Sequence, residues 1–325
     1  MEKAKIFCYC YDHQRPSGGQ KSMYRLVDIL NDNGLEAYVL HRQDGFSLSW
    51  FAHHTQIMGR NEFQRIHRPA RDILVLPEDL GHAIHEMPGQ KVIYNQNCYY
   101  GFAAFEFLRP HPYPYLRPDI RGVMTVSEHN RRYLAFAFPN LKIHRVYYSV
   151  DPHVFVFHDI RNKKRKIACL PSKNAMGLLQ VYHLAQARAQ QGLNRLNEYE
   201  WVFLQGRSEQ QVAEVLHESA FFLFLSTTEG LPRMPIEAML SGSIVLGYCQ
   251  GPLAELLRPD NSFAVAKDDT LSLVAKLEEA TELLLRDPAR LRGKSEAARK
   301  TASEYSRERE ENSYMAFWRD VLRGE

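Results

Sequence analysis

The sequence predicts an α/β protein built from two doubly wound, Rossmann-like domains with a cleft between them. Three observations predict it. The 325 residues exceed one ordinary core and suit two domains of about 150 residues each. Short apolar strand signals alternate with helical periodicity along the chain, the rhythm of parallel sheets covered on both faces. A basic stretch, Arg161-Asn162-Lys163-Lys164-Arg165-Lys166, stands between two such series and reads as the end of a linker whose charge is solvated.

Taken in order, residues 6–11 are the first strand. The loop 12–19 leads into a helix over 20–33, where Met23, Leu26, Val27 and Leu30 recur at helical spacing and Gly34 stops it. Residues 36–40 are the next strand, and further strands fall at 73–76, 91–94 and 122–126. The second series reads as strand 167–170, helix 177–191, strand 201–204, helix 210–217, a very apolar strand 221–225, helix 235–240 and strand 244–247. Amphipathic helices follow over 269–286 and 287–303, and a last helix, 308–323, gathers Tyr314, Phe317, Trp318 and Val321 on one face. The domain limits read from this are 1–155 with a returning helix at 306–325, and 156–305.

Hydrophobic content of 45% and charged content of 24% are those of an ordinary globular protein and exclude disorder as the default. A net charge of +3 suits a small anionic ligand or weak contact with an anionic membrane surface, and is far too small for a nucleic-acid partner. The five cysteines are scattered without a CxxC pair, so neither a disulfide framework nor a structural zinc site is expected. Cys8 and Cys10 share one side of the first strand and read as core. No apolar leader opens the sequence and no apolar run could span a bilayer, so the expected location is cytoplasmic, with peripheral contact at the inner membrane face at most. His82 and His85 lie three apart near Glu86 but lack a third ligand, and read as surface histidines. The aromatic and proline-rich stretch 99–115 reads equally well as an acceptor-stacking loop and as packing.

The most informative segment runs Ser226-Thr227-Thr228-Glu229-Gly230-Leu231-Pro232-Arg233-Met234-Pro235-Ile236-Glu237-Ala238-Met239-Leu240-Ser241-Gly242. It reads as a buried strand, a polar turn, and a helix opening at Pro235, the residue best tolerated in a first helical turn. Helix N-termini offer unpaired N–H groups to anions. Glu229 just before that start and Glu237 just inside it suit a ligand bearing hydroxyls beside its phosphates.

Glu229-Gly230-Leu231-Pro232 followed by Glu237-Ala238-Met239 and Ser241-Gly242 resembles the two-glutamate signature of family 4 retaining glycosyltransferases of the GT-B fold. Ser17-Gly18-Gly19 resembles that family's N-terminal glycine pair. Val126-Ser127, Ser149-Val150-Asp151 with Phe155, Lys173, Gly206, and Gly251 with Glu255 resemble further family positions in the right order. The resemblance spans about residues 17–255.

The resemblance implies a nucleotide-diphosphate sugar as donor and a glycan, lipid-linked or small hydroxyl acceptor, with transfer in cell-surface polysaccharide or glycan synthesis. It implies that Glu237 binds the ribose and that Glu229 sits by the transferred sugar. Backbone N–H groups of Gly230 and Leu231, with Lys173 and the Gly18-Gly19 loop, would hold the diphosphate, and Gly206 would contact the nucleotide. No metal is expected, and the chain has no Asp-x-Asp motif. Glu229 and Lys173 are the expected catalytic pair. The sequence departs from the family twice. The arginine usual before the lysine is missing from Leu170-Pro171-Ser172-Lys173, leaving Arg207 or Arg233 to supply its charge. Tyr94-Asn95-Gln96-Asn97 stands where many members carry a histidine. Glu78, Asn95, Asn97 and Tyr99 are the acceptor-side candidates. The alternative is a degenerate GT-B scaffold that binds a sugar nucleotide or glycan without catalysis.

Overall fold

A computed structural model describes residues 3–107 and 112–323 of the chain. They separate into two compact units, Met1–Tyr148 with Glu308–Glu325, and Ser149–Arg307. Residues 149–155, counted with the first domain from sequence, fall in the second unit, where the Val150 amide donates to the Tyr305 carbonyl (3.1 Å).

The first unit runs β1 (Lys5–Tyr9), α1 (Gly18–Asp32), β2 (Glu36–Leu40), β3 (Ile57–Met58), α2 (Arg60–Ile66), β4 (Ile73–Pro77), α3 (Ala83–Glu86), β5 (Gln90–Asn95), α4 (Tyr100–Ala103), β6 (Ile120–Thr125), α5 (Glu128–Ala137) and β7 (Ile143–Arg145). The second runs β8 (Lys164–Cys169), α6 (Ala175–Gln190), β9 (Glu200–Phe203), α7 (Glu209–Glu218), β10 (Ser219–Phe224), α8 (Arg233–Leu240), β11 (Ile244–Tyr248), β12 (Ser262–Val265), α9 (Thr270–Arg286) and α10 (Pro288–Ser303). The chain ends with α11 (Arg307–Arg323).

Among the described residues each unit holds one wholly parallel sheet. The strand orders are β3-β2-β1-β4-β5-β6-β7 and β12-β11-β10-β8-β9. Strands that read as unbroken apolar runs are buried end to end: β4, β10 and β11 expose no residue, as a sheet covered on both faces requires. In the first unit the winding reverses between β1 and β4, and in the second between β8 and β10. Open α/β sheets bind ligands outside the carboxyl ends of the strands at such a reversal.

Helix α1 buries Met23, Leu26, Val27 and Leu30, the stripe read from sequence. The chain returns to the first unit through α11, whose Tyr314, Phe317, Trp318 and Val321 are buried. Tyr94 Oη on β5 meets Tyr314 Oη at 2.6 Å. A Cβ at Gly122 on β6 would lie 2.9 Å from the Phe317 ring, so the aromatic face needs glycine there. Cys8 and Cys10 are core.

The basic stretch meets expectation only in part. It is mostly solvated, with Arg161, Asn162, Lys164 and Arg165 exposed, but its second half already enters β8 and one of its members is buried. Lys163 is buried, and its ammonium donates to the Leu216 (2.7 Å) and His217 (2.9 Å) carbonyls at the end of α7. Lys164 and Lys166 pair with Glu218, and Arg165 with Glu198. Burial pushes the Lys163 amine down to about 7. Strands β3, β7 and β12 were not read from sequence, being only two, three and four residues long. His85 Nε2 donates to the Pro112 carbonyl (2.7 Å). Among the described residues no group of three His, Cys, Asp or Glu is placed to hold a metal ion, and no helix is long and apolar enough to cross a membrane.

Candidate functional site

At the reversal of the second unit, β8 ends into the turn Pro171–Lys173 and β10 into the loop 225–232, so neighbouring strands deliver Lys173 and Glu229 to one place. Lys173 Nζ lies 2.8 Å from Glu229 Oε1, with the lysine side chain 41% and the glutamate 12% exposed. Ser226 Oγ donates to the same carboxylate oxygen at 2.7 Å. Asn174 fastens the two loops: its Oδ1 accepts from the Gly177 amide (2.9 Å) to cap α6, and its Nδ2 donates to the Leu225 carbonyl (3.3 Å). Ser226 and Asn174 were not singled out from sequence. An asparagine before an apolar helical run is a readable cap signal, and only the β10 connection shows what else it does.

Helix α8 opens at Arg233, with Pro232 as N-cap, and not at Pro235. Pro235 is the third helical residue and has no N–H, so it contributes no donor to the first turn. Pro232 has no side-chain group to cap the helix and no acid lies in the first turn, which leaves the positive end of the dipole without a carboxylate from the helix itself. Gly230 and Leu231, buried in the preceding loop, lead into it. Glu237 sits one turn on and is 9% exposed. Ser241-Gly242 closes α8 structurally: Gly242 has φ +85°, and a Cβ there would stand 2.2 Å from the His158 carbonyl oxygen.

The two arginines proposed to replace a missing cation each bond a backbone carbonyl. Arg207 Nε donates to the Phe203 carbonyl (2.9 Å), folding back on β9, after Gly206 has turned the chain at φ +76°. Arg233 Nη2 donates to the Ser149 carbonyl (2.5 Å).

In the first unit Gly18 and Gly19 are the first residues of α1 rather than a loop. A Cβ at 19 would approach Gln96 Oε1 to 3.0 Å, so the glutamine would have to give way, and Gln96 Nε2 donates to the Gly19 carbonyl (3.2 Å). The acceptor-side candidates are mostly turned inward. Glu78 is buried, and its oxygens accept from the Gln96 (3.0 Å) and Asn97 (2.7 Å) amides. Burial outweighs those bonds and pushes its carboxyl up to about 8. A side chain so occupied holds the loop after β5; it does not offer itself to a sugar. Asn95 is buried, donating to Tyr115 Oη (2.8 Å). Asn97 Oδ1 accepts from the Tyr99 amide (3.1 Å). Tyr99 packs on α5, with Oη 3.0 Å from His129 Nε2. The exposed carboxylate at this reversal is the neighbour, Asp79, which accepts from Tyr11 Oη (2.9 Å). Of the stretch 99–115, residues 108–111 lie outside the described residues. Phe102, Tyr113 and Tyr115 pack around Phe138 and line a groove of about 530 Å³.

Residues 187–304 match the family described as "Glycosyl transferases group 1". The chain is 21% identical over 199 residues to the alpha-1,6-glucosyltransferase of Actinobacillus pleuropneumoniae serotype 7 (strain AP76), covering 57% of this chain and 55% of that protein. The chain therefore matches about half the length of that relative. Among solved structures, sucrose-phosphate synthase from Thermosynechococcus elongatus superposes with TM-score 0.72 at 13% identity, covering 99% of this chain and 100% of the other. S. aureus TarM superposes with TM-score 0.70 at 10% identity, covering 98% of each chain. Anabaena HepE in complex with UDP-glucose superposes with TM-score 0.65 at 13% identity, covering 99% and 100%. At such identities the likeness is one of fold, and it extends over the whole chain.

Proposed function

We propose, from the premise that residues 187–304 of this GT-B chain belong to the group 1 glycosyl transferases, that the protein moves a hexose from a uridine diphosphate sugar to an acceptor hydroxyl with retention. The observation that carries the reading is the Lys173–Glu229 contact of 2.8 Å on the two loops that flank the second unit's reversal. Anabaena HepE with UDP-glucose supports the uridine nucleotide, and the relative named as an alpha-1,6-glucosyltransferase supports glucose. The acceptor is a glycan or a lipid-linked or small hydroxyl compound, and the reaction invokes no metal.

In this reading the diphosphate approaches the amides at the start of α8 and the half-exposed Lys173, which exchanges its carboxylate partner for phosphate oxygen. Breaking the glycosidic bond builds negative charge on that diphosphate. A cation and amides already in place stabilise it without reorganisation, so they act on the transition state more than on the bound donor. Glu229, held by Ser226, turns to the hydroxyls of the transferred sugar and faces the positive charge growing at its anomeric carbon. Glu237 accepts from the ribose hydroxyls. The leaving phosphate takes the acceptor's proton on the same face, which returns the original configuration. Asp79, exposed at the first unit's reversal, and the half-buried Tyr11 are suited to acceptor hydroxyls in place of Glu78.

Calorimetry with UDP and a panel of UDP-sugars tests the donor site. Glu237→Ala should weaken UDP at least about tenfold through its lost hydrogen bonds; equal affinity in the two proteins would reject the assignment. A second reading, binding without turnover, draws on the engagement of Arg207 and Arg233 with backbone carbonyls. Release of glucose from UDP-glucose by the wild type, assayed with and without added glycosides, separates the two.

A further inference from the structure

The connection from β2 to β3, residues 41–56, carries no regular structure and is longer than the roughly 12–15 residues beyond which such a loop is usually functional. It is nevertheless tied down. His41, fully buried, follows β2 directly. Its Nδ1 lies 2.8 Å from Asp12 Oδ1, and its Nε2 lies 2.7 Å from Tyr24 Oη on α1. The Leu48 amide donates to Tyr24 Oη (3.1 Å). Asp12 also accepts from the Gln43 amide (2.7 Å), and Gln14 bonds Ser47 and Ser49 from the same side.

The proton positions follow by elimination. A carboxylate only accepts, so Nδ1 carries the hydrogen toward Asp12. In a neutral imidazole Nε2 then accepts, and Tyr24 donates its hydroxyl proton to it. The hydroxyl oxygen is left to accept from Leu48. Every link has one direction, and burial holds the His41 imidazolium below the usual histidine range, in keeping with a neutral ring. Around the ring stand Asp12, Tyr24, Cys10 and His53 as titratable neighbours, with Phe46 edge-on at 4.7 Å. The loop so held presents Phe46, Trp50 and Phe51 half-buried, with Ser49 and His54 exposed, beside the carboxyl ends of β1 and β2. Aromatic faces set among polar groups are the chemistry of a sugar-binding surface.

We propose that Asp12, Tyr24 and His41 are positioning residues whose hydrogen-bond chain holds residues 42–53 against the 12–17 loop in the shape that recognises the sugar acceptor. The inference rests on the reading of the first unit as the acceptor side. Acidification opens the chain, because a proton on Nε2 makes it a donor facing the Tyr24 hydroxyl, and Leu48 loses its fixed partner.

The test is amide hydrogen exchange of the full chain, alongside transfer from UDP-glucose to methyl glucosides. Tyr24→Phe should speed exchange at Leu48 about tenfold, the loss of one hydrogen bond, with the amides of β4 to β6 unchanged. The same variant should raise the KM for the glucoside while leaving UDP affinity and UDP-glucose hydrolysis at wild-type values. Exchange at Leu48, corrected for the chemical rate, should rise in the wild type as pH falls below the usual histidine range, where burial has moved the His41 titration, and stay flat in His41→Asn. Unchanged exchange, a uniform rise across the unit, or faster loop exchange with an unaltered glucoside KM would each overturn the proposal. A wild type that neither binds UDP nor hydrolyses UDP-glucose overturns the donor reading instead, and one that hydrolyses UDP-glucose but uses no methyl glucoside leaves the exchange results to decide the relay.

Discussion

The two reversals share one topology and carry opposite electrostatics. In the second unit a lysine and a glutamate meet at 2.8 Å with the lysine substantially exposed, beside a helix start whose N-cap proline has no side-chain group to cap it. In the first unit the equivalent carboxylate, Glu78, is buried and spent on two backbone amides. A charge kept at the surface can trade its partner for a ligand at little cost, since an exposed ion pair is worth only about 0–1 kcal/mol. A carboxyl sealed inside, holding its proton up to about pH 8, cannot, because any ligand would first have to displace the two amides it accepts from. The same strand order thus builds a site for ionic exchange in one unit and a fixed scaffold in the other.

The largest effect should come from breaking the exchangeable side. Glu229→Ala removes the group proposed to face the reacting sugar and should lower kcat for transfer about 10²–10³-fold, as loss of one transition-state contact does. UDP affinity should hold or improve, because Lys173 loses its competing partner. A parallel fall in UDP binding would show the carboxylate to be a structural brace like Glu78. Lys173→Ala should act on the other ligand group, weakening UDP about 10-fold or more through a lost charge-assisted bond, read by calorimetry.

On the sealed side the prediction concerns pH. The Glu78 carboxyl is raised from 4.5 to about 8, so between those values the folded state holds a proton that the unfolded state has released. Its contribution to stability is complete below about pH 4.5 and is lost as pH rises through about 8, at up to about 1.4 kcal/mol per pH unit. Denaturant unfolding across that range should show this slope in the wild type relative to Glu78→Gln. No difference in slope would mean that the amides, and not burial, control the group.

The same contrast sets what could be read from sequence. The proposed donor site was legible because its pieces are contiguous: turn and helix lie within 226–242, directly after β10, and their residue types suggest their chemistry. Even so, the helix start was misplaced, since Pro235 fits a first turn at more than one position and only the chain path makes Pro232 the cap. Glu78 and Asp79 are adjacent, and which one faces the core depends on the short helical turn Glu78–Leu80, which no periodicity announces. The chain joining Asp12, Tyr24 and His41 links residues 17 and 29 positions apart, brought together by parallel pairing of β1 with β2. Such contacts have no local signature.

Lys163 is the sharpest case, because composition pointed the wrong way. Five of six residues from 161 to 166 are basic, and one of them is buried against the end of α7. Its amine is lowered from 10.5 to about 7 by burial, while the terminal carbonyls of α7 favour the charged form and oppose that shift. Between the two values the unfolded chain binds more protons, so stability rises with pH across that window, and the penalty of burying the charge is full below about 7. Lys163→Met keeps the length and removes the charge. The wild type should therefore gain stability relative to this variant as pH climbs from about 7 toward 10, at up to about 1.4 kcal/mol per pH unit, with the helix carbonyls reducing the gain. A difference that is flat or falls with pH would mean that the ammonium survives intact at the end of α7, and that helix capping outweighs burial at this position.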